Sequence, residues 1–397
     1  MLDSRRRSAL ALLVFFGTAS GCLKTLDESL LDAKDGGAGS AGASGAGGGG
    51  GTAASGGTGG TGASSGTGGG SGSGGDSGTD AGVIPWDQSK YPVTVVTSTP
   101  GARSVIAADG TDIFGAEQGA SPAPLTRYAL SGGGGVLVPN VSFKQPQALA
   151  TISGSLNVFS AGENAAGAVL ERAPKVGGSI ASVSTTGAME TPTSIFAASD
   201  SFAYVTAQAS AGTVALLRFN LAGGPAPAEN LFVAGSAESG GPVVATPGCV
   251  YWVSNGNLWV LPTSGGARVS ALSTGIADAV GVTADAVNLY YTRSSGSVWK
   301  KPLDPGCVAG SKAETQLGAG FVGIGAVTAF EGRVAWTATG ESGSNAGGGV
   351  FVVAASGGTI TQIANEEGGP DFLLTAGNFV VFTTAAGDIR RVGKNPK

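Results

Sequence analysis

Four charged residues stand in the longest polar loops of the sequence and are the first candidates for chemistry. They are Glu117, Glu163, Arg293 and Glu341. Two carboxylates that lie close together can act as general acid and base or can bind calcium, and Glu117 with Glu163 is the pair to consider. Sequence spacing does not show that they converge, and ordinary solvated loop residues are the alternative for each. We treat all four as candidate binding residues and assign no catalytic residue.

Histidine is absent from the 397 residues, and this absence restricts the chemistry more than any motif does. It removes imidazole as a general base or metal ligand, and it rules out a serine–histidine–acid triad. No glycine-rich phosphate motif stands between a strand and a helix. The sequence therefore predicts no metal site and no cofactor, and it favours a binding protein over an enzyme.

The charge pattern argues against a nucleic-acid partner. The net charge is −5, with 22 Lys and Arg against 27 Asp and Glu, and the one basic cluster is Arg5-Arg6-Arg7. A phosphate backbone is bound by clustered cations on a folded surface, which this sequence lacks.

The first 21 residues have the three parts of a signal peptide: the basic cluster, an apolar run at 9–16, and small residues before Cys22. The apolar run is far shorter than the roughly 20 residues that span a bilayer. Ala19-Ser20-Gly21-Cys22 resembles the lipobox of bacterial lipoproteins, which implies cleavage before Cys22 and its lipidation. Leucine is usual where this chain has Ala19, so cleavage by the general signal peptidase stays open. Leu23 after the cysteine implies the outer membrane under the family's sorting rule.

Residues 22–34 would form the lipidated N-terminus, and residues 35–84 are a linker of mostly Gly, Ser, Ala and Thr. Such a composition cannot bury enough apolar surface to offset its ordering entropy, so we expect a disordered tether. Its random-coil span is roughly 40 Å. Long tethers of this kind behind a lipobox resemble those of lipoproteins from myxobacteria and related bacteria.

The rest of the chain, residues 85–397, repeats a short apolar run that ends on an aromatic residue. The aromatic anchors are Phe114, Phe159, Tyr204, Trp252, Tyr291, Trp336 and Phe382. Successive anchors lie about 45 residues apart, and a period of 40–50 residues made of short strands is typical of β-propeller blades. Each unit also has a run of small and β-branched residues before the anchor and further strand patterns after it.

The seventh unit ends after residues 388–393 and has no fourth strand, whereas residues 91–99 form a strand pattern without a partner. Placing this N-terminal strand at the outer edge of the last blade closes the ring and leaves no unpaired edge. We predict an all-β fold, a β-propeller with seven blades. Six blades would result if the weak first unit were discarded, and a β-sandwich is a further alternative.

Two units, at 250–266 and 290–304, resemble YWTD and NHL propeller repeats. The matching letters are VYWVSNGNLWVLPTSGG and YYTRSSGSVWKKPLD. The resemblance covers residues 89–397 loosely and concerns architecture. It implies that the aromatic residues of these units pack between blades rather than bind a ligand; these are Tyr251, Trp252, Tyr290 and Trp299.

Cys249 lies at the predicted turn between the first and second strands of blade 4. Cys307 lies at the predicted turn between the third and fourth strands of blade 5. These turns open on the same face of neighbouring blades, so we predict a disulfide, formed in an oxidising compartment. Two separate buried thiols are the alternative.

The predicted function is that of an extracytoplasmic lipoprotein whose propeller binds a protein, a glycan or an envelope component without catalysis. A ligand would bind where the loops between second and third strands surround the channel mouth. The alternatives are a hydrolase or lyase that works without histidine, and a structural envelope protein. We expect a monomer held in the cell envelope, at the outer membrane, by a lipid anchor and exposed to the periplasm or the surface.

Overall fold

The computed structural model shows an all-β protein in which the predicted blades follow one another along the chain. It describes residues 83–97, 104–152, 155–164, 167–185, 190–197, 201–209, 213–221, 228–233, 238–272, 277–308, 312–341, 347–366 and 370–397. The predicted signal peptide, Cys22, the lipidated N-terminus and the linker up to residue 82 lie outside these residues.

Among the described residues, twenty-nine strands form seven antiparallel sheets, one for each blade. The N-terminal strand is β1 (Thr94–Thr97). Blade 1 contains β2 (Ser104–Ala108), β3 (Asp112–Glu117), β4 (Ala123–Ala129) and β5 (Val136–Phe143). Blade 2 contains β6 (Pro146–Thr151), β7 (Asn157–Asn164), β8 (Gly167–Pro174) and β9 (Ala181–Thr185). Blade 3 contains β10 (Glu190–Ala197), β11 (Phe202–Ala209), β12 (Val214–Asn220) and β13 (Glu229–Val233).

The remaining blades have the same plan, with one irregularity in blade 6. Blade 4 contains β14 (Gly240–Ala245), β15 (Cys249–Ser254), β16 (Asn257–Pro262) and β17 (Val269–Ser270). Blade 5 contains β18 (Ala279–Ala284), β19 (Asn288–Arg293), β20 (Ser297–Pro302) and β21 (Thr315–Gly318). Blade 6 has a divided inner strand and contains β22 (Phe321–Val322), β23 (Val327–Phe330), β24 (Arg333–Glu341), β25 (Gly347–Ala354) and β26 (Thr361–Asn365). Blade 7 contains β27 (Pro370–Ala376), β28 (Phe379–Thr384) and β29 (Ile389–Gly393), with β1 as its outer strand.

The ring closes as the sequence predicted. Strand β1 pairs antiparallel with β29, and Thr94 and Val95 lie opposite Arg391 and Arg390. Blade 7 therefore combines one strand from the N-terminal side of the propeller with three from its C-terminal end. The seven-blade count is confirmed, and the six-bladed and β-sandwich alternatives are wrong.

The second strands are largely buried, because each blade is covered on both faces by its neighbours. All six residues of β15 are buried. The seven aromatic anchors are each 3% exposed or less, which makes them packing residues rather than a ligand cage. Apolar clusters join neighbouring blades, as where Tyr204 and Leu231 of blade 3 pack with Trp252 of blade 4.

The turn between β15 and β16 contains only Asn255 and Gly256, both at positive φ (48° and 72°). This conformation is typical of tight β-hairpins and suits Asn-Gly. Glycine is also required by space, because a Cβ at position 256 would lie 2.2 Å from the carbonyl oxygen of Ala277.

The predicted disulfide between Cys249 and Cys307 is confirmed. Their Cα atoms are 5.6 Å apart, and both residues are buried. Cys249 begins β15, and Cys307 follows β20 in the connection to β21. The bond therefore joins blades 4 and 5.

The two ends of the ring are formed by different connections. The turn face has the links between first and second and between third and fourth strands, such as residues 109–111 and 355–360. The loop face has the links between second and third strands and between blades, such as residues 118–122 and 144–145. The described chain begins at the turn face, because Ile84 donates to the carbonyl of Ile360, just before β26 (2.8 Å).

Candidate functional site

A central channel of about 670 Å³ is lined by side chains from the inner strands of all seven blades. This volume lies within the range of small-molecule sites. Inner strands run from the loop face to the turn face, so the start of each strand lies at the loop-face mouth. Asp371, the second residue of β27, therefore lies near that mouth and is the one ionisable residue among the described residues that line the channel.

The middle of the channel is apolar, whereas its two ends carry hydroxyl groups. The apolar side chains include those of Ile106, Leu149, Ile195, Phe196, Phe372 and Leu373. Thr193 and Ser194 lie on the loop-face side, and Thr151 and Thr283 lie near the turn face. The lining offers an apolar surface with a few hydrogen-bonding groups, which is the usual composition of a binding cavity.

The four predicted binding residues all occur at the loop-face ends of second strands, in blades 1, 2, 5 and 6. Of the three whose side chains are described, Glu117, Glu163 and Arg293, none lines the channel. Glu117 is exposed, and Glu163 accepts a hydrogen bond from Thr191 Oγ1 of blade 3 (3.1 Å). Glu341 ends β24 opposite Phe321, and its side chain lies outside the described part. No described hydrogen bond or ion pair joins Glu117, Glu163 and Arg293 to one another.

Arg293 is buried in a polar cluster between blades 4 and 5. Its Nη2 donates to Glu314 Oε2 (3.0 Å) and to the Tyr291 hydroxyl (3.0 Å), which in turn donates to Glu314 Oε2 (2.7 Å). The guanidinium also lies over the Trp299 ring, 4.2 Å from its centroid. Burial, together with the hydrogen bond to Glu314, raises the pKa of Tyr291 well above its ordinary value. The cluster fixes the Arg293 side chain inside the blade interface.

A second cluster of the same kind, which the sequence analysis missed, joins blades 3 and 4. Arg268 donates to both carboxylate oxygens of Glu238 (2.7 and 2.6 Å), and Ser254 Oγ donates to the same group (2.8 Å). The Arg268 guanidinium lies between the rings of Trp259 and Phe232. The hydrogen bonds from Arg268 are the main reason that the pKa of Glu238 is lowered. In both clusters an arginine stacks on a tryptophan of a third strand.

Asp109, Asp200 and Asp285 each stand before a second strand in the sequence, a position at which aspartate is typical of an Asx turn, and Asp109 and Asp285 stabilise such turns at the turn face. Asp109 Oδ1 accepts the backbone N–H groups of Thr111 and Asp112, and its Oδ2 forms an ion pair with Lys175 (2.7 Å). Burial opposes ionisation of Asp109, but the Lys175 ammonium and these N–H groups outweigh it and lower the pKa. Asp285 accepts N–H groups from Val287 and Asn288 in the same way. Asp200, the third residue of this kind, lies outside the described residues.

No protein-family model and no curated protein matches the chain. Solved structures match through the fold. Virginiamycin B lyase from Staphylococcus aureus is 14% identical, with a TM-score of 0.58, over 77% of this chain and 99% of that chain. The Pan2 WD40 domain from Neurospora crassa is 10% identical, with a TM-score of 0.56, over 79% of this chain and 98% of that chain. At these identities the likeness shows the β-propeller fold alone.

A further similar structure is that of a catalytically inactive variant of virginiamycin B lyase from Staphylococcus aureus with quinupristin. It is 14% identical, with a TM-score of 0.57, over 77% of this chain and 99% of that chain. The described part of the present chain has no helix able to cross a membrane.

Proposed function

We propose that the protein is an exported lipoprotein, anchored through Cys22, whose propeller binds a protein, a glycan or an envelope component without catalysis. The observation that carries the proposal is the channel lining. General acid–base catalysis needs positioned proton donors and acceptors, commonly as pairs with separated pKa values. The described lining supplies one carboxyl group, that of Asp371, and otherwise apolar and hydroxyl side chains. This arrangement suits binding better than bond cleavage.

Export is supported by the leader sequence and by the disulfide between Cys249 and Cys307. Structural disulfides persist in oxidising compartments outside the cytoplasm and are rare within it. The described chain begins at the turn face, where Ile84 donates to the carbonyl of Ile360. The loop face, with its channel mouth, lies at the opposite end of the ring. Glu117, Glu163 and Glu341 would stand around that mouth, and the Arg293 cluster would hold the loops of blade 5 in place.

A binding experiment with matched variants tests the proposal. Full-length protein is immobilised and exposed to peptidoglycan fragments, envelope polysaccharides and purified envelope proteins. Thr328→Trp places a large ring in the channel, whereas Thr315→Trp places the same ring on the exposed outer strand β21. We expect one probe class to bind the unaltered protein and the Thr315 variant, but not the Thr328 variant, and to be recovered unchanged. Conversion of a probe into product would overturn the proposal in favour of an enzyme, and the absence of any binding would favour a structural role.

A further inference from the structure

Arg391 is a buried cation that differs from the others in having no polar partner. It lies in the middle of β29 and is 9% exposed. Within the described residues, its Nε and Nη1 atoms have no hydrogen-bond partner, and it forms no ion pair. Its one contact of an electrostatic kind is with the face of Phe379, whose ring centroid lies 4.6 Å from the guanidinium carbon.

The other described cations with similarly low exposure are all satisfied by oxygen atoms. Arg293 pairs with Glu314, and Lys394 pairs with Glu331 (3.1 Å). Lys301 donates to the carbonyl oxygen of Ala271. Adjacent Arg390, on the opposite side of the strand, pairs with Glu366 and with Asp388. The ring thus pairs its buried charges consistently, and Arg391 is the exception.

Burying a charge without a partner costs free energy, because the charged group loses its hydrogen bonds to water and gains none from the protein. Burial lowers the pKa of Arg391. Arginine nonetheless keeps its charge at neutral pH, because its ordinary pKa is far higher. The side chain therefore needs an anion rather than the loss of a proton. A cation–π contact with one phenylalanine replaces only part of the stabilisation that water gives to the charged guanidinium.

The surroundings of Arg391 leave one side of the guanidinium open. The side chain points towards blade 1, as does Ile389 two residues earlier, which packs against Ile106 and Ile113. There it meets the exposed turn 131–135 between β4 and β5, in which four consecutive residues are glycine. A Cβ at Gly132 would lie 3.2 Å from Nη2 of Arg391.

Glycine in this turn has a direct consequence for access. Any side chain at position 132 would cover Nη2, and positive φ (104°) also favours glycine there. Cβ atoms at Gly133 and Gly134 would meet nothing within 4 Å, so the space above the turn is empty of protein. An anion can therefore approach Nη2 from the turn face. The backbone N–H of Gly132 already donates to the carbonyl oxygen of Ala129 (3.0 Å), so Gly133 and Gly134 are the residues of the turn whose N–H groups could be additional donors.

We propose that Arg391 and the glycine turn 132–134 form a binding site for a small oxyanion, a carboxylate or a phosphate group, at the turn face between blades 7 and 1. The site is separate from the channel mouth on the loop face. It requires neither the lipid anchor nor the channel ligand. Guanidinium groups bind both oxyanions through charge-assisted hydrogen bonds.

Thermal and chemical unfolding of the full chain, with inorganic phosphate or acetate as the probe, tests this site. Ionic strength and pH are held constant with chloride as the reference anion. A ligand that binds only the folded state raises the folded-to-unfolded ratio about elevenfold at ten times its dissociation constant. We expect an increase that follows this relation with at least one of the two probes. The probe with the lower fitted dissociation constant identifies the class of anion.

Two variants separate the site from general salt effects. Arg391→Gln should remove the increase in stability beyond that given by chloride, whereas Arg390→Gln should keep it, since Arg390 is already occupied by its ion pairs. An equal response of all three proteins would show a bulk salt effect and overturn the proposal. If Arg391→Gln does not fold, calorimetric titration of the unaltered protein decides. One anion bound per chain supports the site, and the absence of saturable heat with both probes refutes it.

Discussion

Replacing both Cys249 and Cys307 with alanine removes the covalent bond between blades 4 and 5. The disulfide spans 58 residues of sequence. Constraining an unfolded loop of that length stabilises the folded state by about 4 kcal/mol at 25 °C in the chain-entropy treatment. Because both residues are buried, the variant also loses some packing around the two sulfur positions. We therefore expect a loss of about 4 kcal/mol, equivalent to roughly three powers of ten in the unfolding equilibrium.

Guanidinium-induced unfolding, followed by tryptophan fluorescence, measures this loss. The unaltered protein should unfold at a lower denaturant concentration when a reductant is added, and the double variant should behave in the same way with and without reductant. This second comparison is the control, because a reductant acts here only through the disulfide. A loss of less than about 1 kcal/mol would refute the reasoning. It would mean that the unfolded chain already keeps the segments around Cys249 and Cys307 close together without the covalent bond.

Three further changes have distinct expected effects. Gly256→Ala should lower the free energy of unfolding by more than about 1 kcal/mol, because position 256 has positive φ and a Cβ there would contact Ala277. Gly110→Ala has open space around it and should change the free energy of unfolding by no more than about 0.5 kcal/mol. Urea unfolding measures both changes, and equal effects would contradict the reasoning. Deleting the strand 94–97 should leave β29 as an open edge, so that size-exclusion chromatography shows aggregation; a monodisperse, equally stable variant would contradict ring closure by this strand. The lowered pKa of Glu238 means that its stabilising contribution is complete above its ordinary pKa of 4.5 and is lost as the pH falls below that value. Glu238→Gln should therefore flatten the dependence of stability on pH below about pH 4.5, and an unchanged curve would count against this ion pair.

The repeat was readable in the sequence because every blade buries the same position. Each anchor, such as Trp252 or Phe382, must fill the space between neighbouring sheets, so an aromatic residue recurs at a regular interval. Ring closure was also predictable, because an outer strand was missing at one end of the sequence and a strand without a partner was present at the other. The disulfide followed from the same strand order.

The two arginine clusters could not be predicted from the sequence in this way. Arg293 stands in a loop motif of ordinary polar appearance, yet its partner Glu314 comes from the next connection, beyond strand β20. Arg268 and Glu238 are likewise thirty residues apart and meet only when the strands of blade 4 pair. Such pairs depend on the reach of long side chains between connections, and sequence spacing does not record that. A tryptophan in the third strand is the one sequence feature that the two clusters share.

Intact mass spectrometry of the protein extracted from membranes tests the central claim most directly. The account predicts a polypeptide that begins at Cys22, carries lipid on that residue, and has the mass of a chain with Cys249 and Cys307 oxidised. A chain that keeps residues 1–21, or one that begins elsewhere with an unmodified cysteine and free thiols, would contradict it.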